Sequence, residues 1–239
     1  MQNPIFAAID TQEPGRAADL AASLTGVVGG VKLGLEFFSA NGPGGVRKIT
    51  ETGVPLFLDL KFHDIPNTVA GAVRAAVSLQ PAILNVHAGG GATMMKAAAK
   101  AAAESADALG VAKPMLIAVT VLTSLDNSDL HAVGQLGPPT EQVVRLAKLT
   151  EDCGLDGVVC SPREIEAIRG TCGADFKLIV PGIRPEGSNA GDQKRTMTPS
   201  DAMSAGANYL VIGRPITTAE DPAEAARVIA ATITPISTQ

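Results

Sequence analysis

Short apolar runs of β character alternate with Ala-rich, helix-forming stretches along the whole chain, and this alternation limits the fold more than any other feature. The strand candidates are Pro4–Asp10, Val27–Leu33, Pro55–Lys61, Ala82–His87, Pro114–Val121, Gly157–Cys160, Lys177–Val180 and Asn208–Ile212. Between them, Val69, Ala72, Val73, Ala76 and Val77 form an apolar stripe at helical spacing. Ala92–Leu109 is long and strongly helix-forming, and Gln142–Asp152 and Asp221–Ala231 are further helix candidates. Eight strands alternating with helices within 239 residues fit an α/β fold of the (β/α)8 barrel type. A doubly wound open sheet is the rival, but no Gly-x-Gly-x-x-Gly turn follows the first strand. No linker or break in composition divides residues 1–239, so a single catalytic domain is expected.

Polar residues fall where such a barrel places its chemistry, at the carboxyl ends of strands. Asp10 ends the first strand, Lys32 lies near the end of the second, and Asp59 and Lys61 end the third. Asn85 and His87 close the fourth, Thr123 follows the fifth, Pro181-Gly182 the seventh and Gly213-Arg214 the eighth. Strand alternation puts Leu56, Leu58 and Leu60 on one face and Phe57, Asp59 and Lys61 on the other. By the same parity Phe6, Ala8 and Asp10 face inward, and Ile5, Ala7 and Ile9 face the helices.

Asp59, Lys61 and the nearby Asp64, joined by Lys32 and Asp10, form an alternating array of two cations and three anions. Inward-facing charges are costly unless paired or functional; the plain alternative is a structural ion pair at the rim. Opposite charges nearby favour the charged form of an amine. Lys61 therefore suits a proton donor better than a Schiff-base nucleophile, which needs an apolar pocket or a second cation. Gly213-Arg214-Pro215, after the last strand and before a helix, suits a phosphate through backbone N–H groups and a guanidinium; alone it is equally a surface Arg beside a turn. The Ile183–Thr198 loop is long for a connection and carries Arg184 and Gln193. Gln193 has a donor and an acceptor with which to bridge a phosphate and a polar base, although a solvated loop accounts for most of the charged residues there.

Several classes are disfavoured. Trp is absent, Tyr occurs once, and the net charge of −5 comes without a basic block, so no nucleic-acid partner is expected. No apolar stretch is long enough to cross a bilayer, and the amino terminus lacks a signal-peptide pattern, so a cytoplasmic location is expected. Cys153, Cys160 and Cys172 read as buried, reduced thiols. His63, His87 and His131 lack metal-ligand spacing. His87 either lines the site or is a satisfied structural His. Asp10, Asp59 and Asp64 could hold Mg²⁺, but Lys32 and Lys61 compete for their charge, so no metal is expected.

Taken together these pieces resemble the orotidine 5′-phosphate decarboxylase family in its compact bacterial form, from Ile5 to about Pro222. The most specific is Asp59-Leu-Lys61-Phe-His-Asp64-Ile-Pro-Asn-Thr68-Val. Support comes from Val31-Lys32-Leu-Gly, Thr120-Val-Leu-Thr123-Ser, Val180-Pro181-Gly-Ile-Arg184-Pro, Gly191-Asp-Gln193-Lys-Arg195 and Leu210-Val-Ile-Gly213-Arg214-Pro-Ile-Thr. The resemblance implies a (β/α)8 homodimer without metal or organic cofactor that converts orotidine 5′-phosphate to UMP and CO₂. It implies that Lys61 protonates pyrimidine C6, that Asp59 lies against the substrate carboxylate, and that Asp10 and Lys32 contact the ribose. Asp64, Ile65 and Thr68 would enter the partner's site. Thr123, with Ser124, would bind the pyrimidine; Gln193, Arg214 and the Gly213 backbone would hold the phosphate; Pro181 and Arg184 would complete the substrate contacts. The rivals are a Mg²⁺-dependent sugar-phosphate decarboxylase or aldolase of the same barrel superfamily, and a catalytically silent phosphate-binding barrel. Against the first stand the Ile65-Pro66-Asn67-Thr68 continuation and Gln193.

Overall fold

A computed structural model describes residues 3–135, 137–186 and 196–233. In chain order the elements are β1 (Ile5–Ile9), α1 (Pro14–Leu24), β2 (Gly30–Gly34), α2 (Leu35–Thr50), β3 (Leu56–Phe62), α3 (Pro66–Val77), β4 (Ile83–His87), α4 (Gly91–Leu109), β5 (Met115–Val119), α5 (Asn127–Ala132), α6 (Pro139–Asp152), β6 (Gly157–Val159), α7 (Ile165–Arg169), β7 (Lys177–Val180), α8 (Pro199–Ser204), β8 (Tyr209–Ile212), α9 (Arg214–Thr217) and α10 (Pro222–Ala231). Each strand pairs in parallel with the next, and β8 pairs back onto β1. The barrel is therefore closed and leaves no edge strand.

Local chemistry explains many helix boundaries. Pro14, Pro66, Pro139 and Pro222 each occupy a first turn, where the missing N–H costs nothing. The Asp221 carboxylate accepts the Glu224 N–H and caps α10. Gly110, at φ 65°, ends α4 in the left-handed conformation that favours glycine.

The expected parity holds. Ile5, Ala7, Ile9, Leu56, Leu58 and Leu60 pack outward against the helical shell, where Val69, Val73 and Val77 of α3 are buried. Burying one such aliphatic side chain contributes about 1.5–3 kcal/mol. Inside the barrel, Phe6, Ala8, Phe57, Ile83, Ile117, Ile179 and Val211 form a second core. The Phe6 ring meets Phe57 and Tyr209 edge-on, with centroids 6.3 and 5.6 Å apart. Gly30 makes this possible: a Cβ there would lie 2.4 Å from the Phe6 ring and 2.5 Å from the Pro55 carbonyl oxygen. This plug closes the middle of the barrel and leaves the carboxyl ends of the strands as its open mouth.

Some boundaries differ from the sequence expectation. β5 ends at Val119 rather than Val121, and the Thr120 hydroxyl donates to the Val159 carbonyl at 2.9 Å. α3 buries Ala70 where Ala72 was expected; Ala72 is only half-buried. α2 carries a kink at Gly42 (φ 58°) and Pro43. The three cysteines are free and buried. No described helix is long and apolar enough to cross a membrane.

Candidate active site

The inward face of β3 delivers Asp59 and Lys61 to the mouth of the barrel. Asp59 is only 8% exposed, and its Oδ1 accepts from Lys61 Nζ at 2.6 Å. Its other oxygen lies 3.3 Å from Lys32 Nζ, which β2 contributes. Lys32 also reaches Asp10, at the end of β1, at 3.6 Å. Four of the five charges read from the sequence thus form one chain of contacts, Asp10–Lys32–Asp59–Lys61. Burial alone would raise the Asp59 pKa. The Lys32 and Lys61 charges outweigh it, aided by hydrogen bonds from Lys61 and Asn85, and hold the carboxyl below its usual range.

Lys61 is not in ordinary strand conformation. Its φ is 50°, a left-handed value uncommon for a residue other than glycine. The β3–β4 ladder shifts register there, between Leu58 and Phe62, and the Lys61 N–H donates to the Asn85 side-chain oxygen at 2.7 Å. Bulges of this kind re-aim a side chain beside an active site.

The two lysines and Asp59 form the polar wall of a cavity of about 190 Å³. Val119, Val121, Val159 and Val211 line the apolar remainder, with Thr123 and Pro181 at the loops after β5 and β7. One end can thus receive a flat, weakly polar ring, while the other presents fixed charges. Water-poor surroundings strengthen those charges relative to the surface.

The other expected site residues are distributed differently. Asp10 is exposed at the rim. Asp64, Ile65 and Thr68 are not among the residues that line this cavity: all three are exposed, Ile65 by 67%, and the Asp64 carboxylate accepts the Ile65 N–H at 2.6 Å. Asp64 therefore does not complete the charge array of its own chain. Arg184 donates to the Ile183 carbonyl at 2.9 Å. Gly213 packs by Ala8, at the open end of β1, and Arg214 opens α9 with its side chain exposed. Gln193 lies outside the described residues. His87 does not line the cavity. Its Nδ1 accepts the Gly89 N–H at 3.3 Å, and its ring stacks on His63 at 5.1 Å. Burial, then His63 and Lys61, lower its pKa. Among the described residues, no cluster of three or more His, Cys, Asp or Glu is arranged to hold a metal ion.

Residues 3–229 match the family model described as "Orotidine 5'-phosphate decarboxylase / HUMPS family". The chain belongs to this family. A relative from Rhodospirillum rubrum named orotidine 5′-phosphate decarboxylase is 60% identical over 233 residues, covering 97% of this chain and 94% of its own. One of the same name from Moorella thermoacetica is 54% identical, over 97% and 92%. The crystal structure of orotidine 5′-phosphate decarboxylase from Lactobacillus acidophilus superposes with a TM-score of 0.87 at 36% identity, covering 97% of this chain and 99% of that one. One residue that the sequence left without a role also belongs to the site: Asn85, fully buried, binds both Asp59 and Lys61. Its signal was an amide in the middle of the otherwise apolar segment Ile83-Leu84-Asn85-Val86.

Proposed function

We propose that this enzyme decarboxylates orotidine 5′-phosphate to UMP and CO₂, the last step of UMP synthesis, using the charge chain at the barrel mouth. The observation that carries the mechanism is a Lys61 ammonium 2.6 Å from Asp59 on the wall of the cavity, with its side chain 29% exposed. Lys61 lines the cavity instead of packing with the apolar residues of the helical shell. Breaking the C6–carboxylate bond leaves its electron pair in the plane of the pyrimidine ring, where the π system cannot delocalise it. An enzyme removes about 8–23 kcal/mol from such barriers. Lys61 supplies a fixed positive charge at the carbon where negative charge develops, then donates a proton to it. Lys61 is left as the neutral amine and regains its proton from water. Asp59 keeps Lys61 and Lys32 in place and lies against the substrate carboxylate.

Asp10 and Lys32, at the rim, contact the ribose; Thr123 and Ser124 bind the pyrimidine, with Pro181 beside the ring. Gly213, Arg214 and Gln193 take the phosphate side, whose binding energy drives closure over C6, and Arg184 completes the substrate contacts. The exposure of Asp64, Ile65 and Thr68 supports a homodimer in which these residues enter the partner's site. Residues 1–239 act as one catalytic domain in the cytoplasm, with no metal or organic cofactor. The direct test follows the loss of orotidylate absorbance on adding purified enzyme, with and without EDTA. Turnover insensitive to EDTA is expected. Absence of turnover on orotidylate would defeat the proposal, and loss of activity in EDTA would revive the Mg²⁺-dependent sugar-phosphate chemistry.

A further inference from the structure

Asn85 lies in β4 between apolar neighbours and is fully buried. An amide in such surroundings is unfavourable unless its polar atoms are satisfied. Here the side-chain oxygen accepts the Lys61 N–H at 2.7 Å, and Nδ2 donates to Asp59 Oδ1 at 2.7 Å. The amide can point only one way, because a backbone N–H only donates and a carboxylate only accepts. The same Asp59 oxygen receives Lys61 Nζ at 2.6 Å. One amide therefore holds a lysine by its backbone and, through a shared carboxylate oxygen, by its ammonium.

The ladder explains why a side chain takes this part. β3 and β4 pair through Phe57–Ile83 and Leu58–Leu84, then slip so that Phe62 meets Val86. Across the slip, the Lys61 N–H bonds to the Asn85 side chain rather than to a β4 carbonyl. That bond secures Lys61 at its φ of 50°, which is uncommon for a residue with a side chain.

We propose that Asn85 is a positioning residue of the reaction, fixing the β3 bulge and the Asp59 carboxylate so that the Lys61 ammonium is aimed into the cavity. This rests on the role proposed for Lys61. Two variants test it. Asn85→Leu has similar bulk and makes neither hydrogen bond. Asn85→Asp keeps an acceptor for the Lys61 N–H but sets a second carboxylate against Asp59. Misplacing a reacting group by about 1 Å costs roughly 100-fold, so kcat should fall about 10–100-fold in Asn85→Leu while UMP affinity stays within about 3-fold. In Asn85→Asp, two carboxylates in contact share a proton more readily. Acidification then restores a donor to Asp59, and the ratio of variant to wild-type kcat should rise as pH falls. In a Lys61→Ala background, Asn85→Leu should cost little more, because its effect runs through Lys61.

Wild-type kcat in Asn85→Leu would overturn the inference, as would a full additional loss in the Lys61→Ala background. Should Asn85→Leu not fold, the pH response of Asn85→Asp decides alone, and a ratio flat with pH would overturn the inference. Wild-type turnover by Lys61→Ala would instead overturn the proton-donor reading itself. An inactive Lys61→Ala beside fully active Asn85 variants removes only Asn85.

Discussion

Two lysine–carboxylate clusters of this molecule contain the same chemical groups and differ in what surrounds them. On the surface of α6, Lys148 lies 2.9 Å from Glu151 and 2.8 Å from Asp152, one turn along the helix. Hydrogen bonds from Lys148 and from the Gly173 N–H lower the Glu151 pKa. In the barrel mouth, Lys61 and Lys32 bracket Asp59 at 2.6 and 3.3 Å. The distances are alike, yet the first cluster is bathed in water and salt, which screen it, while in the second a largely buried carboxylate depends on its partners. The surface cluster follows from helical spacing alone. The mouth cluster draws on three strands and a bulge, and it borders a cavity. Proximity of opposite charges does not mark a site; the low-dielectric wall beside it does.

The largest expected effect is Lys61→Ala. Removing an electrostatic stabiliser that is also the proton donor should lower kcat by roughly 1,000-fold or more, with UMP still bound, as steady-state kinetics and titration would report. Near-normal turnover would put the two clusters on an equal footing. Arg214→Ala comes next. Losing a charge-assisted contact should weaken phosphate-bearing ligands about 10–100-fold and spare the bare nucleoside; equal losses for both would remove Arg214 from the phosphate side.

A smaller effect is expected in stability against pH. Folding lowers the Asp59 pKa from its ordinary 3.8, so the folded state binds fewer protons at this site than the unfolded chain. The resulting stabilisation is fully present above pH 3.8 and is lost as pH falls through the lower folded value. Urea midpoints of the wild type and Asp59→Asn, measured from about pH 6 down to about pH 3, should therefore converge in acid. A gap that widens would contradict the ionised, paired carboxylate. Smallest of all, Lys148→Ala should leave kcat and the unfolding midpoint unchanged within error, since its partners are solvated. A clear loss of activity there would erase the distinction between the clusters.

Much of this was legible in the chain. Helical and strand periods located all eight strands, missing most ends by a residue or two, because fraying ends are decided by local hydrogen bonds such as that of Thr120 rather than by period. Period two also placed Phe57, Asp59 and Lys61 on the inner face. Asp64 was less legible. It sits three residues beyond Lys61, but the chain turns there, and Asp64 faces solvent instead of joining the array. Asn85 was seen as a polar strand residue without a role, since no short-range pattern ties it to a lysine 24 residues earlier.

The sequence by itself determined the alternation of elements, the side of each strand that faces inward, and the acids and bases that reach the strand ends, because these depend on spacing along one backbone. Only the tertiary structure decided which of those groups touch. Contact across strands depends on closing all eight into one barrel and on the slip between β3 and β4. That slip carries Lys61 through a left-handed conformation onto the amide of Asn85, a contact between residues 24 apart that spacing along a single strand does not show.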